Sequence, residues 1–244
     1  MKQIIAVTTF TLTLILACLN VAAQTQSRDD VIKELETKRA ELSAVEKKVL
    51  AVADSDREEF AAFLSQPQTG IVRLLPREQY SGNTKRGLAI SGGGAVYSFV
   101  GSTYESEKGY DIQFYNGDFS VGFAGADYGM LLNLGDTPLD QVVSEQAAVR
   151  ALLNYKPATA EPDARTAHKT LWEGLDLSGA VFKNRLPAKV SNTYLLRSIL
   201  YNDSDIAVAF RVTRKDTDGS VIILYKVLKK FPVPKLERMQ TAAQ

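Results

Sequence analysis

Tyr110-Asp111-Ile112-Gln113-Phe114-Tyr115-Asn116-Gly117-Asp118-Phe119-Ser120-Val121-Gly122-Phe123 consists of two alternating apolar and polar runs about a central Asn-Gly pair. Asn-Gly tolerates positive φ at both central positions of a type I′ turn, the two-residue connection whose twist matches that of paired strands. Such a loop sets Phe114 opposite Phe119, Ile112 opposite Val121 and Tyr110 opposite Phe123, with all six on one face. Asp111, Gln113, Tyr115, Asp118, Ser120 and Gly122 then share the other face, where acids are expected to be solvated. A slip of one residue would turn the apolar set outward, so turn chemistry and pattern agree on one register. The hairpin predicts an antiparallel domain.

Downstream, a three-strand meander is expected: Thr193 to Tyr201, Asp205 to Arg214, then Ser220 to Leu228, with turns at Asn202-Asp203-Ser204 and Asp216-Thr217-Asp218-Gly219. Ile206, Val208, Phe210 and Val212 alternate with Ala207, Ala209, Arg211 and Thr213, the pattern of a strand with one buried face and one partly wet face. Val221 to Leu224 is apolar on both faces, so the last strand should be central or covered. Between the two β units, Thr137 to Leu153 and Pro162 to Leu175 have helical character, separated by a loop from Lys156 to Glu161. After Pro232 and Pro234 the tail is expected to fray.

Upstream the period is helical. Ser27 precedes Asp29 and Asp30, an N-cap followed by acids that complement the helix dipole. Val31, Leu35, Leu42, Val45, Val49 and Val52 recur at three- and four-residue steps, interrupted by Lys38. This narrow stripe suits either an amphipathic helix lying on its own domain or a coiled coil or spacer through which the chain self-associates. Ser55 to Glu58 repeats the capping pattern, predicting a break near Asp54 and a second helix that docks through Phe60, Phe63 and Leu64.

The first residues carry an export signal. Lys2 is the only charge before Arg28, an apolar run extends from Ile4 to Ala17, and Val21-Ala22-Ala23 forms a small-residue cleavage site. The run is shorter than the roughly 20 residues that span a bilayer. Cleavage after Ala23 predicts a periplasmic or extracellular protein. Ile15-Leu16-Ala17-Cys18 offers a competing lipobox, in which Cys18 is the lipid attachment site and the protein is anchored at a membrane surface. The expected organisation is therefore a leader at 1–23, a helical segment at 24–66, a globular domain at 67–236 and a frayed tail at 237–244.

Composition removes several chemistries. The chain has 29 basic and 28 acidic residues, and loss of Lys2 with the leader equalises them, so nothing steers the protein to nucleic acid. Cys18 is the only cysteine and lies in the leader, which leaves the cleaved chain without a thiol nucleophile, a disulfide or a thiolate metal site. His168 is the only histidine, so two-histidine metal motifs are absent, and no G-x-S-x-G elbow accompanies it. No metal and no cofactor are expected.

Few motifs remain. Ser91-Gly92-Gly93-Gly94-Ala95 resembles an anion-cradling loop, but the following Val96 to Val100 has strand character, so a bulge or close backbone crossing is the better account. Gly92, Gly93 and Gly94 are retained as candidate binding residues. Gly122, Gly125 and Gly129 form a second cluster around Asp127 and Tyr128. Carboxylates are the only abundant catalytic groups, which makes Asp127 the candidate acid of a glycan hydrolase and Tyr128 a candidate binding residue. Asp216 to Ser220 fails as a calcium loop because Arg214 and Tyr225 stand at ligand positions, and a hairpin turn accounts for it.

The sequence thus predicts an α+β fold: an N-terminal helical segment, then a largely antiparallel β domain with two inserted helices. The preferred function is a non-catalytic binding or structural protein of the bacterial cell envelope, with an envelope protein or a glycan as partner. The alternatives are a carboxylate-based hydrolase acting on glycans and a lipid-anchored accessory subunit, which meets a membrane only if Cys18 is lipidated.

Overall fold

The computed structural model describes residues 27–105, 109–122 and 126–237. The leader with Cys18, the Phe123 and Gly125 positions and the tail beyond 237 lie outside the described residues. The chain divides into two units, one up to Ala44 and one from Val45 onward.

Helix α1 (Arg28–Val49) begins as its sequence predicts, with the Asp30 N–H donating to Ser27 Oγ at 3.1 Å. Val31, Leu35 and Leu42 stand exposed along it. Its last turn and the chain that follows belong to the second unit, where Glu46, Leu50 and Val52 are buried. The Glu46 carboxylate accepts the Ala89 and Ile90 N–H groups at 2.7 and 2.9 Å. The second predicted helix forms in two pieces, α2 (Asp54–Glu59) and α3 (Ala61–Leu64), broken at Phe60, and a single-turn helix α4 (Arg77–Tyr80) lies further along the chain. Phe60, Phe63 and Leu64 dock as expected, and buried Asp56 holds Arg214 through both carboxylate oxygens.

The α+β architecture is as the sequence predicts. A five-stranded antiparallel sheet runs in the order β1 (Thr69–Leu74), β11 (Val221–Lys230), β10 (Ser204–Lys215), β9 (Thr193–Leu200), β5 (Tyr128–Asn133). The meander is present, and β11 lies inside the sheet between β1 and β10, as its two apolar faces require. A smaller sheet orders β2 (Val96–Tyr97), β3 (Ile112–Tyr115), β4 (Asp118–Ser120) and β8 (Arg185–Pro187). The hairpin has its predicted register, Phe114 opposite Phe119, and Asn116 and Gly117 take φ values of 49° and 79°.

One expectation about that hairpin fails. Asp111 and Gln113 are buried rather than solvated. Strand β2 pairs with β3 on this side, and the Asp111 carboxylate turns inward to accept the Phe99 and Val100 N–H groups at 2.7 and 3.3 Å. The ladder between β3 and β4 also ends at Ser120, because the Val121 N–H is diverted to the Asn184 carbonyl.

The two faces of the large sheet carry separate cores. Tyr194, Leu196, Val208, Phe210, Val212 and Ile223 meet Phe114 and Phe119 of the small sheet. On the opposite face, Leu195, Ile199, Ala207 and Ala209 meet Val149 and Leu152 of α5 (Ala147–Asn154) and Leu171 of α6 (Glu161–Glu173). The second face of β10, expected to be partly wet, is sealed at Ala207 and Ala209, whose small side chains let the helix layer approach. Two helices are inserted as predicted, but the first starts at Ala147 instead of Thr137. Pro138 opens a 3-10 turn over Leu139–Gln141 that buries Leu139, and the chain from there to Gln146 buries Val142 without forming an α-helix. A short hairpin of β6 (Leu175–Leu177) and β7 (Ala180–Phe182) follows α6, which ends at Gly174.

The chain after β11 does not fray as far as it is described. Phe231 N–H donates to the Asp205 carbonyl, Asn202 N–H to the Pro234 carbonyl, and Glu237 N–H to the Thr159 carbonyl, at 2.7 to 2.9 Å. Prolines 232 and 234 pre-set the extended conformation that these three bonds fasten.

Candidate functional site

One concavity of the domain is built on a charge inside the large sheet. Arg197 on β9 and Asp205 on β10 stand diagonally across the ladder, on the face toward the helices, and both are buried. Arg197 Nε and Nη2 donate to Asp205 Oδ1 and Oδ2, each at 2.9 Å, the bidentate geometry that a planar guanidinium favours. Nη1 donates to the carbonyls of Leu152 and Tyr155, at 2.8 and 2.5 Å. Those carbonyls end helix α5, where backbone acceptors lack intrahelical partners and a cation is favoured by the helix dipole. The Phe231 ring lies over the guanidinium, 3.8 Å from its carbon to the ring centroid. Four of the five guanidinium N–H groups are thereby occupied. Arg197 fastens three segments together: the sheet, the end of α5 and the chain after β11.

Above this fastening, the Tyr155–Thr159 loop and the Phe231–Lys235 segment face each other across a cavity of about 440 Å³. The loop is held by a tyrosine frame. Tyr128 and Tyr155 hydroxyls are 3.1 Å apart, Ala158 N–H donates to the Tyr128 hydroxyl at 3.1 Å, and the Tyr201 hydroxyl donates to the Ala158 carbonyl at 2.6 Å. Burial pushes the Tyr128 hydroxyl up to about 12 and raises Tyr155 and Tyr201 as well, so all three remain neutral donors and acceptors at physiological pH. Lys156, Lys229 and Lys235 line the cavity, and among the described residues its only acid is Asp205, which Arg197 already holds. Lys229 Nζ lies 4.7 Å from the Phe231 ring centroid.

The residues singled out from the sequence are distributed differently. Gly92, Gly93 and Gly94 take φ values of 60°, 65° and 75° in a tight turn, and Gly93 and Gly94 are buried. A Cβ at Gly93 would overlap the Tyr80 carbonyl, so this glycine permits a close backbone crossing. The turn packs beside Leu50, Leu75 and Ile90, and it is followed by only two residues of strand. Tyr128 is fully buried and works as part of the frame beneath the cavity. Asp127 Oδ1 accepts the Tyr201 N–H at 2.8 Å, and its carbonyl lies 3.3 Å from His168 Nδ1. Burial raises the Asp127 carboxyl, the Tyr201 N–H opposes that shift, and the neighbouring Asp203 charge adds to it. Asp127 and Tyr128 are therefore brought together, while the Gly92–Gly94 turn belongs to another part of the domain.

Arg197, Asp205, Tyr155, Tyr201 and Phe231 were not recognised from the sequence. A signal was present: Arg197 is the single charge in Tyr194-Leu195-Leu196-Arg197-Ser198-Ile199-Leu200, and Asp205 opens the next strand. A charge in a strand buried on both faces requires a partner.

Among the described residues, no group of three or more His, Cys, Asp or Glu side chains could hold a metal ion, and no helix is long and apolar enough to cross a membrane. No protein-family model, no curated protein and no solved structure matches the chain.

Proposed function

We propose that this chain is a non-catalytic binding protein of the bacterial cell envelope or its surroundings, exported by the leader at 1–23, with its ligand seated between Tyr155–Thr159 and Phe231–Lys235. The observation that carries the reading is the built frame of that cavity: two extended walls, each hydrogen-bonded to the sheet or the tyrosine cluster, over a buried bidentate ion pair. Its volume falls within the roughly 300 to 1,000 Å³ of small-molecule sites, which are mostly pre-formed. Pre-formed walls avoid the ordering cost that a flexible loop incurs on binding.

The acids that a hydrolase would use have structural duties. Asp118 pairs with Arg185, Asp111 holds the turn after β2, and Asp127 anchors the start of the β9–β10 turn. The hydrolase reading keeps one supporting observation, the raised Asp127 carboxyl near Asp203. Crystals of the protein soaked with a mixed fragment library test the binding reading. Hits concentrated in this cavity support it, and a library that leaves the cavity empty overturns it. The N-terminal mass of the secreted protein tests export: Gln24 as first residue supports simple cleavage, and acylated Cys18 replaces it with a lipid anchor.

A further inference from the structure

We infer that the ligand of this cavity is an amphiphilic anion: an apolar body, ring or acyl chain, carrying one carboxylate, sulfonate or phosphate head. The inference rests on the cavity being the binding site. Its first support is local charge. The whole chain is nearly neutral, yet among the described residues the cavity is lined by Lys156, Lys229 and Lys235 and by a single acid. That acid is bidentate to Arg197, so the pair cancels and the lysines remain in excess. None of the three is ion-paired among the described residues.

The second support is the walls. Leu153, Pro157, Ala158, Phe231, Pro232 and Pro234 add apolar surface to the lining of the same cavity. A small, strongly hydrated anion gains nothing from such walls, and an uncharged hydrocarbon gains nothing from three lysines. A molecule with both parts uses both. Lysine presents a point charge on a flexible stem rather than a fixed fork, which suits a head group of varied geometry. The third support is backbone. The N–H groups of Lys156, Val233 and Lys235 make no hydrogen bond among the described residues, and prolines at 157, 232 and 234 break any ladder that could otherwise use the walls. These residues line the cavity, and an N–H group without a protein partner is a donor that an anion's oxygens can use.

Two fluorescent probes with the same ring systems separate the class of ligand from the existence of the site. The full exported chain is titrated with 1-anilinonaphthalene-8-sulfonate, which carries a sulfonate, and with N-phenyl-1-naphthylamine, which does not. The expected result is one sulfonate bound per chain, with affinity at least tenfold above the uncharged probe and falling several-fold as salt rises from low to about 0.5 M, where screening is short-ranged. Lys156→Gln, Lys229→Gln and Lys235→Gln combined should weaken the sulfonate about tenfold and leave the uncharged probe unchanged. Phe231→Leu should weaken both probes while far-UV circular dichroism shows the fold intact. Equal binding of the two probes, insensitive to salt and to the lysine variant but reduced by Phe231→Leu, overturns the anion while the site stands. Failure of both probes to bind, or binding that Phe231→Leu leaves unmoved, overturns the site itself.

Discussion

The two faces of the five-stranded sheet are built on different principles. Toward the small sheet, aromatic rings interlock: Phe119 meets Phe210 edge to face at 5.0 Å and Tyr194 at 5.5 Å, and Tyr194 stacks on Phe210 at 5.1 Å. Toward the helices, small residues such as Ala207 and Ala209 alternate with Arg197, Asp205, Arg211 and Lys226, whose polar groups tie helix ends and loops to the sheet. The first face stores stability in buried area. The second uses satisfied charges to place the Tyr155–Thr159 loop and the Phe231–Lys235 segment, which are the walls of the candidate site. A sheet with both faces packed by rings would have been stable and would have had nothing to position.

Truncation on the aromatic face should produce the largest loss. Phe119→Ala removes a ring that touches three others, and such deletions cost about 3 to 5 kcal/mol. Urea unfolding should show a lower midpoint with an unchanged slope, and a loss below about 1 kcal/mol would show that the two sheets are not held by this cluster. The helix-side face is tested by unpairing its charge. Asp205→Ala leaves a buried guanidinium without its carboxylate, at a cost of about 3 kcal/mol or somewhat more. Arg197→Met together with Asp205→Leu should recover most of that loss, since replacing a whole buried pair by apolar groups is often near neutral. The double variant should nevertheless weaken probe binding in the cavity, because the Leu152 and Tyr155 carbonyls and the Phe231 ring lose their common fastening. Full binding in the double variant would break the distinction between the two faces.

A smaller effect concerns Asp111, a buried acid on the aromatic side. Burial raises the Asp111 carboxyl above its ordinary value of 3.8, although the Ser198 hydroxyl and the Val100 and Phe99 N–H groups oppose the shift. In the unfolded chain this group loses its proton near the ordinary value, whereas the folded protein holds it to higher pH. Stability attributed to Asp111 therefore falls as pH rises above about 4 and levels off once the folded group ionises. Asp111→Asn keeps an acceptor for the two N–H groups and should remove that fall. The difference in unfolding free energy between wild type and variant, measured from pH 3 to 8, checks the sign. A difference that is flat with pH would mean that Asp111 has no raised carboxyl.

The smallest changes are expected at the residues nominated for catalysis. Asp127→Asn retains an acceptor for the Tyr201 N–H and should shift stability by less than about 1 kcal/mol, and His168→Ala by about 0.5 kcal/mol or less. Neither should alter probe binding in the cavity. If a glycan-hydrolysing activity is present and Asp127→Asn abolishes it while His168→Ala spares it, the carboxylate reading displaces the binding one.

Periodicity and turn chemistry made most of the architecture legible. Asn116-Gly117 set the hairpin register, the alternation of β10 and the two-faced apolar run of β11 set the meander, and Ser27 set the start of α1. These signals are local, because side-chain period and left-handed turn residues act over two to four positions. Apart from the late start of α5, which Pro138 accounts for locally, the misreadings involve a partner distant in sequence. Asp111 has a polar residue's pattern, and only strand β2 and the turn after it bring the N–H groups that draw it inside. Ala207 and Ala209 signal nothing by themselves, and a helix layer some 40 to 60 residues upstream covers them. The tail after Pro232 looks loose until Asn202 and Thr159 supply its hydrogen-bond partners. The candidate site belongs to this second class throughout. Arg197, Asp205, Tyr155 and Phe231 come from four segments, and the cavity between them exists because a buried charge must find all its partners at once. Sequence alone determined the Asn116-Gly117 hairpin, the closing meander and the aromatic-bearing face of β10. Tertiary structure decided which polar residues go inside and hence where a ligand can sit, since burial and desolvation are properties of the packed chain and of no single stretch of it.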